Sequence, residues 1–278
     1  MKNPLADPDK RRNLLERVIS AVVLLPLAIW LTVQGGWAFA VLVSVAAALC
    51  AAELLLMAGP LGLAEGLGMA VAGLLPFLAA TERVPSWAGV ALGLAAVALL
   101  SALLLSHRTI EEVPARAGRI ALASVYCGLL PATLVGLRVG GGMDWVILAF
   151  AVTWANDTFA YFAGLSFGKH KLLPAVSPKK TWEGFAGGAV GSLAAALAMQ
   201  HWRLAGELSP GGALLLGAGA AVVGPLGDLT ESLLKRAYGV KDSSRLIPGH
   251  GGLLDRIDAL LFVSPWIGLF VALTLGPR

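Results

Sequence analysis

The chain has 278 residues, of which 57% are hydrophobic and only 14% charged, with a mean hydropathy of +0.78. That composition excludes a soluble globular domain and describes a polytopic membrane protein. The net charge of +4 and pI near 9.3 are accounted for by topology-setting cations beside anionic lipid, so nucleic acid is not an expected partner.

Hydropathy predicts about nine transmembrane helices, at roughly 18–33, 37–58, 61–80, 86–105, 120–137, 143–163, 184–202, 212–234 and 257–275. The fold class is therefore an all-α polytopic integral membrane protein. The first span follows basic residues as a signal peptide would. No small-residue cleavage site follows between Trp30 and Trp37, so it reads as a retained helix. Cys50 and Cys127 both fall in apolar spans and read as small buried hydrophobes, not as a disulfide or metal pair. Glu53 and Glu65 are isolated carboxylates, read as helix-end acids that reach the interface. Gly62, Gly66, Gly68, Ala70, Ala72 and Gly73 permit close helix approach, a packing device in lipid.

The basic residues set the orientation. With the N-terminus cytoplasmic, the inner set is Lys2, Lys10, Arg11, Arg12, Arg17, Arg108, Arg116, Arg119, Lys169, Lys171, Lys179, Lys180, Lys235, Arg236, Lys241, Arg245 and Arg256. Outside lie only Arg83, Arg138, Arg203 and Arg278, which completes the 21 Lys plus Arg of the chain. That asymmetry predicts an N-terminus inside and a C-terminus outside, in the inner (plasma) membrane of the cell. It divides the chain into N-terminal helices, 1–140, as a scaffold that could carry oligomer contacts, and a catalytic region, 141–278, whose polar motifs face the cytoplasm.

In that second region Asn156 and Asp157 stand midway along an apolar span, where a carboxylate should face a polar cavity or a cation. Tyr161 and Gly164 lie on nearby faces and lead to Gly168 and Lys169. The stretch Ser177-Pro-Lys179-Lys180-Thr181-Trp-Glu183-Gly184 enters the seventh span. Thr181 can cap that helix, and two lysines at its N-terminus make a corner that attracts phosphate. As topology signals alone, the same lysines would need no ligand. The eighth span contains Pro225, then Asp228 and Glu231 on one face, with Lys235 four residues beyond Glu231 at the spacing of a surface ion pair.

The run from Ser232 to Asp258 concentrates ionisable groups in this otherwise apolar chain: Lys235, Arg236, Lys241, Asp242, Arg245, His250, Asp255, Arg256 and Asp258. Carboxylates suit a hard divalent metal, while cations and the free N–H groups of a Gly-rich turn at Gly249, Gly251 and Gly252 suit phosphate. Asp228, Asp255 and Asp258 are the expected Mg²⁺ ligands.

The spacing S-x-x-K-R-x-x-x-x-K-D from Ser232 to Asp242, followed by H-G-G-x-x-D-R-x-D from His250 to Asp258, resembles the signature of the phosphatidate cytidylyltransferases (CDP-diacylglycerol synthases). Asp157-Thr158, Gly168-Lys169 and the Ser177–Gly184 block resemble that family too, so the likeness covers about 150–260. Leu165 departs from it, standing after Gly164 where the family pattern has a basic residue. The resemblance implies a Mg²⁺-dependent reaction of CTP with phosphatidate, giving CDP-diacylglycerol and pyrophosphate for phospholipid biosynthesis. It implies catalytic roles for Asp228, Asp255, Asp258, Lys180 and Arg256. Substrate contacts fall to Asn156, Asp157, Ser177, Lys179, Lys180, Thr181, Glu183, Lys235, Arg236, Lys241, Asp242, His250, Gly251 and Gly252. The expected partners are CTP, phosphatidate and the lipid bilayer, and a homodimer is compatible with the N-terminal helices.

Two other classes fit parts of the pattern. A CTP-dependent polyprenol or phytol kinase shares the nucleotide and the membrane. A secondary transporter shares kinked helices and intramembrane carboxylates, although there they gather at the midplane between similar halves. A CDP-alcohol phosphotransferase would carry a D-G-x-x-A-R element, which this sequence lacks.

Overall fold

A computed structural model of the chain describes residues 8–81, 88–106 and 109–274. Lys2, Arg83, Arg108 and Arg278, which entered the orientation argument, lie outside the described residues. So do the side chains of Lys10, Arg11, Arg12 and Arg17. The elements run α1 (Pro8–Gln34), α2 (Gly36–Ala58), α3 (Leu63–Ala79), α4 (Ala88–Ser106), α5 (Val113–Ser124), a π-helical turn (Val125–Leu129), α6 (Leu130–Gly140) and α7 (Met143–Phe167). They continue with β1 (Lys171–Leu173), β2 (Ser177–Thr181), α8 (Trp182–Trp202), α9 (Pro210–Ala237) and α10 (Leu254–Thr274).

Among the described residues, five helices are long and apolar enough to cross a membrane: Gly36–Ala58, Val113–Gly140, Met143–Phe167, Pro210–Ala237 and Leu254–Thr274. Large apolar side chains such as Val22, Leu94, Leu105, Leu165 and Leu273 stand exposed on helix surfaces, the outward face of a multi-pass membrane protein. The expected spans at 61–80 and 86–105 correspond to shorter apolar helices. The expected span at 120–137 is the middle of a 28-residue helix, Val113–Gly140, with a π turn where Gly128 meets α3. A Cβ on Gly128 would stand 2.7 Å from Ala72 Cα, so only glycine allows that approach.

The all-α expectation needs one correction: residues 171–181 form an antiparallel hairpin, pairing Lys171 with Thr181 and Leu173 with Ser177. Two prolines and adjacent lysines hide the strand pattern. A two-stranded ladder tolerates them because its outer edges need no N–H donor.

α7 and α8 pack through small residues. A Cβ on Gly184 would stand 3.0 Å from Ala160 O, and one on Gly191 2.5 Å from Ala155 O. Asn156 turns into this seam, donating from its amide to Ser192 Oγ at 3.0 Å, with Gly188 against its carbonyl oxygen. The two apolar cores join the halves of the chain. One contains Phe39, Leu134, Trp145 and Ile267; the other contains Cys50, Leu54, Cys127, Leu254 and Leu261. The cysteines are free and buried, as read from the sequence.

Glu65 lies in the first turn of α3 and is not a solitary acid. It is buried and takes a forked pair from Arg116, whose Nε and Nη2 each lie 2.6 Å from one carboxylate oxygen. Removing one partner strands the other charge, which costs about 3–5 kcal/mol. Arg116→Met should therefore lower the melting temperature of the purified protein sharply, and Glu65→Gln with Arg116→Met should recover most of the loss. Melting unchanged in the single variant would contradict this reading.

Candidate active site

The loop after α7 turns at Gly168, whose N–H donates to Gly164 O. Glu183, at the entry of α8, gathers this turn: it accepts from Lys169 N at 3.1 Å and His170 N at 3.2 Å, and its Oε1 lies 2.6 Å from His170 Nδ1. Its carboxyl is held down at about 2, first by its own backbone N–H and then by the His170 ring. Thr181 caps α8 by accepting from Gly184 N at 3.1 Å, as its position predicts. The backbone of Ser177 pairs with Leu173 in the hairpin ladder.

This corner forms one wall of a cavity of about 460 Å³ lined by Asn156, Asp157, Lys179, Lys180, Thr181 and Asp228. Lys180 reaches across to α9, placing Nζ 2.7 Å from Asp228 Oδ2. Pro225 lines the same cavity, and α9 runs unbroken past it. Asp157, Asp228 and Asp258 interact electrostatically with one another and with Lys180. Three helices thus bring carboxylates around one ammonium.

Nearer the start of α10, a second set lies behind the Gly-rich turn. Lys235 Nζ donates to Asp255 Oδ1 at 2.6 Å and contacts Glu231 one turn earlier. Asp255 Oδ2 accepts from Ser243 N at 3.0 Å and Gly252 N at 2.9 Å. The turn itself is fixed by Ile247 N donating to Gly251 O and by His250 N donating to Ile247 O, each at 2.9 Å. Gly249 and Gly251 take φ of 75° and 85°, the left-handed region where glycine is strain-free. His250 Nδ1 lies 3.0 Å from Ser20 Oγ on α1. The turn opens on a basic cavity of about 720 Å³ lined by Lys241, Asp242, Arg245, His250, Gly251 and Arg256. Arg236 lines neither cavity; it donates to Val240 O at 3.1 Å.

The predicted site residues therefore sort into four groups. Asp157, Lys179, Lys180 and Asp228 line the first cavity, with Asp258 near enough to interact with them electrostatically, and Lys241, Asp242, His250, Gly251 and Arg256 line the second. Lys235, Asp255 and Gly252 tie α9 to the turn. Ser177, Glu183 and Arg236 make backbone contacts, whereas Asn156 and Thr181 line the first cavity while also bonding Ser192 and Gly184. Glu231 corrects the surface-pair reading: it is 1% exposed. Glu53 was also misread as a helix-end acid. It is 3% exposed and faces the loop that precedes α10.

The cytidylyltransferase family model matches residues 15–274. The chain belongs to this family. Among curated relatives, the phosphatidate cytidylyltransferase of Haemophilus influenzae is 46% identical over 132 residues, 46% of each chain. That of Bacillus subtilis is 44% identical over 169 residues, 59% of this chain and 60% of the relative. That of Staphylococcus aureus is 45% identical over 132 residues, 47% of this chain and 50% of the relative. The chain spans about half the length of the curated relatives it matches.

Cations line both cavities, Lys179 and Lys180 the first and Lys241, Arg245 and Arg256 the second. Among the described residues no three His, Cys, Asp or Glu side chains converge to hold a metal. In particular, Asp228, Asp255 and Asp258 do not meet at one point, because both Asp255 oxygens are engaged by Lys235, Ser243 and Gly252. Asp228 and Asp258 keep the chemistry Mg²⁺ takes, since that ion uses one or two protein carboxylates and completes its shell with water and substrate phosphate.

Proposed function

We propose that this protein transfers the cytidylyl group of CTP to phosphatidate, giving CDP-diacylglycerol and pyrophosphate. The observation that carries the reading is Lys180 bridging from the hairpin to Asp228, beside Asp157 and Asp258, in a cavity opening among apolar helices. A water-soluble triphosphate and a membrane-held phosphate can meet at such a place. Curated relatives carrying the name phosphatidate cytidylyltransferase support the choice of acceptor.

A phosphate oxygen of the lipid attacks the α-phosphorus of CTP, and pyrophosphate leaves. The acceptor is already substantially ionised near neutrality, so no general base is needed. The protein's work is to bring two anions into line and neutralise their repulsion. Lys179 and Lys180 supply positive charge at one cavity; Lys241 and Arg256 supply it at the other, the arginine with a forked donor set. Lys235 holds Asp255, and through it the Gly-rich turn that walls the second cavity. Mg²⁺, held by Asp228 and Asp258 together with triphosphate oxygens, would supply further neutralisation of the transferring and leaving phosphates.

The proposed topology has nine membrane helices, the N-terminus and both cavities cytoplasmic and the C-terminus outside, in the inner membrane. Its support is the basic-residue asymmetry. Cysteine placed at Gly206, between α8 and α9, should react with an impermeant maleimide from outside the cell. Cysteine at Lys171 should react only after the membrane is opened. The reverse pattern would invert the orientation.

The acceptor is tested with purified protein, CTP and Mg²⁺, offering phosphatidate, dolichol or phytol. Turnover with phosphatidate alone is expected. Turnover with either alcohol and none with phosphatidate would replace this reading by the lipid-kinase alternative.

A further inference from the structure

We infer that Glu53, on α2 of the N-terminal half, is a positioning residue for the reaction, locking the Ser243–Leu254 loop and thereby Asp255 in place. The inference rests on the cytidylyl-transfer reading of the site. A carboxylate this deeply buried must collect donors or neutralise, and all of those recorded for Glu53 come from that one loop. Ser244 Oγ lies 2.6 Å and Leu253 N 2.9 Å from Oε1; Ser243 Oγ lies 3.0 Å and Leu254 N 2.8 Å from Oε2. Each oxygen therefore takes one hydroxyl and one backbone N–H.

The N–H groups of Leu253 and Leu254 are orphan donors at the start of α10. Glu53 satisfies them from another helix, 200 and 201 residues away in sequence, and its charge suits a helix N-terminus. Ser243 links this lock to the site. Its Oγ lies 3.0 Å from Glu53 Oε2 and 3.1 Å from Asp255 Oδ2, while its N–H donates to Asp255. One hydroxyl proton between two carboxylates serves only one at a time. The contact fit is tight as well: a Cβ on Gly252 would stand 2.7 Å from Glu53 Oε2. The segment so held carries Asp242 at one end and His250, Gly251 and Asp255 at the other. A shift of the loop moves the second cavity's wall and the partner of Lys235 together.

Glu53→Gln keeps the shape and removes one acceptor. Whichever way the amide turns, its NH₂ faces a backbone N–H, because Leu253 and Leu254 use different oxygens. An unsatisfied buried donor weakens the lock enough to speed hydrogen exchange across 243–254 by about tenfold or more. Displaced site groups should lower kcat by about 10–100-fold, with KM for CTP within about twofold of wild type. Full-length protein in lipid nanodiscs serves both measurements, with exchange in α7 and α8 as the internal reference.

A role confined to stability predicts a lower melting temperature and wild-type kcat per folded molecule; that result overturns the inference. Wild-type exchange across the loop overturns it too. If Glu53→Gln does not fold, Ser243→Ala and Ser244→Ala, which each remove one donor, must show faster loop exchange and lower kcat, and wild-type values in both would overturn the inference. Wild-type protein inactive with CTP and phosphatidate would count against the proposed reaction, whereas the exchange measurement would still decide whether Glu53 holds the loop.

Discussion

Asp228→Asn should lower kcat by about a hundred- to a thousandfold in protein that still folds, the cost of removing one preorganised charge at a reacting centre. Asp228 is the point at which α9, the hairpin and α10 meet: it pairs with Lys180 at 2.7 Å and interacts with Asp157 and Asp258. Asparagine keeps the volume and leaves Lys180 without its counter-charge. If Lys180 serves phosphate, its conservative replacement is informative as well. Lys180→Arg serves the positive-inside rule equally, yet its larger, planar head is aimed differently. Both variants are measured by CTP turnover in correctly inserted protein. Activity within about threefold of wild type for Asp228→Asn would remove that carboxylate from the chemistry.

Asp255→Asn should cost at least as much, about a thousandfold, because it disturbs charge and geometry together. Its two oxygens accept from Lys235, Ser243 N and Gly252 N. The amide presents a donor to at least one of these donors. Lys235 is then left with Glu231, and the Gly-rich turn loses its anchor on α10. Asp255→Glu should not rescue, since an extra methylene pushes the carboxylate into a turn where a Cβ on Gly251 would already stand 3.0 Å from Oδ2. Turnover within about threefold of wild type in Asp255→Asn would contradict its role as the anchor of the turn.

The polar clusters of the second half were readable because ionisable residues are costly in an apolar chain, so their fixed spacing carries information. Asp228, Asp255, Asp258 and the lysine pair all emerged that way, and Thr181 announced its cap. Glu231 was misjudged for a physical reason. An i, i+4 acid and base share a helix face whether that face meets water or another helix, and only tertiary packing decides which. Glu53 was invisible in the same sense: its donors lie about 200 residues away, and a single acid near a helix end has no local pattern. The hairpin escaped because Pro178 and two lysines break the alternation by which a strand is read. Asn156 lines the first cavity, and its bond to Ser192 across the α7–α8 seam had no local signal in the sequence.

The proposed chemistry is tested most directly by following each phosphate of CTP with purified protein, Mg²⁺ and phosphatidate. Label at the α-phosphorus should pass into the lipid product, and label at the γ-phosphorus should appear only in pyrophosphate. Label from the γ-phosphorus in the lipid would mean phosphoryl transfer and would contradict cytidylyl transfer outright.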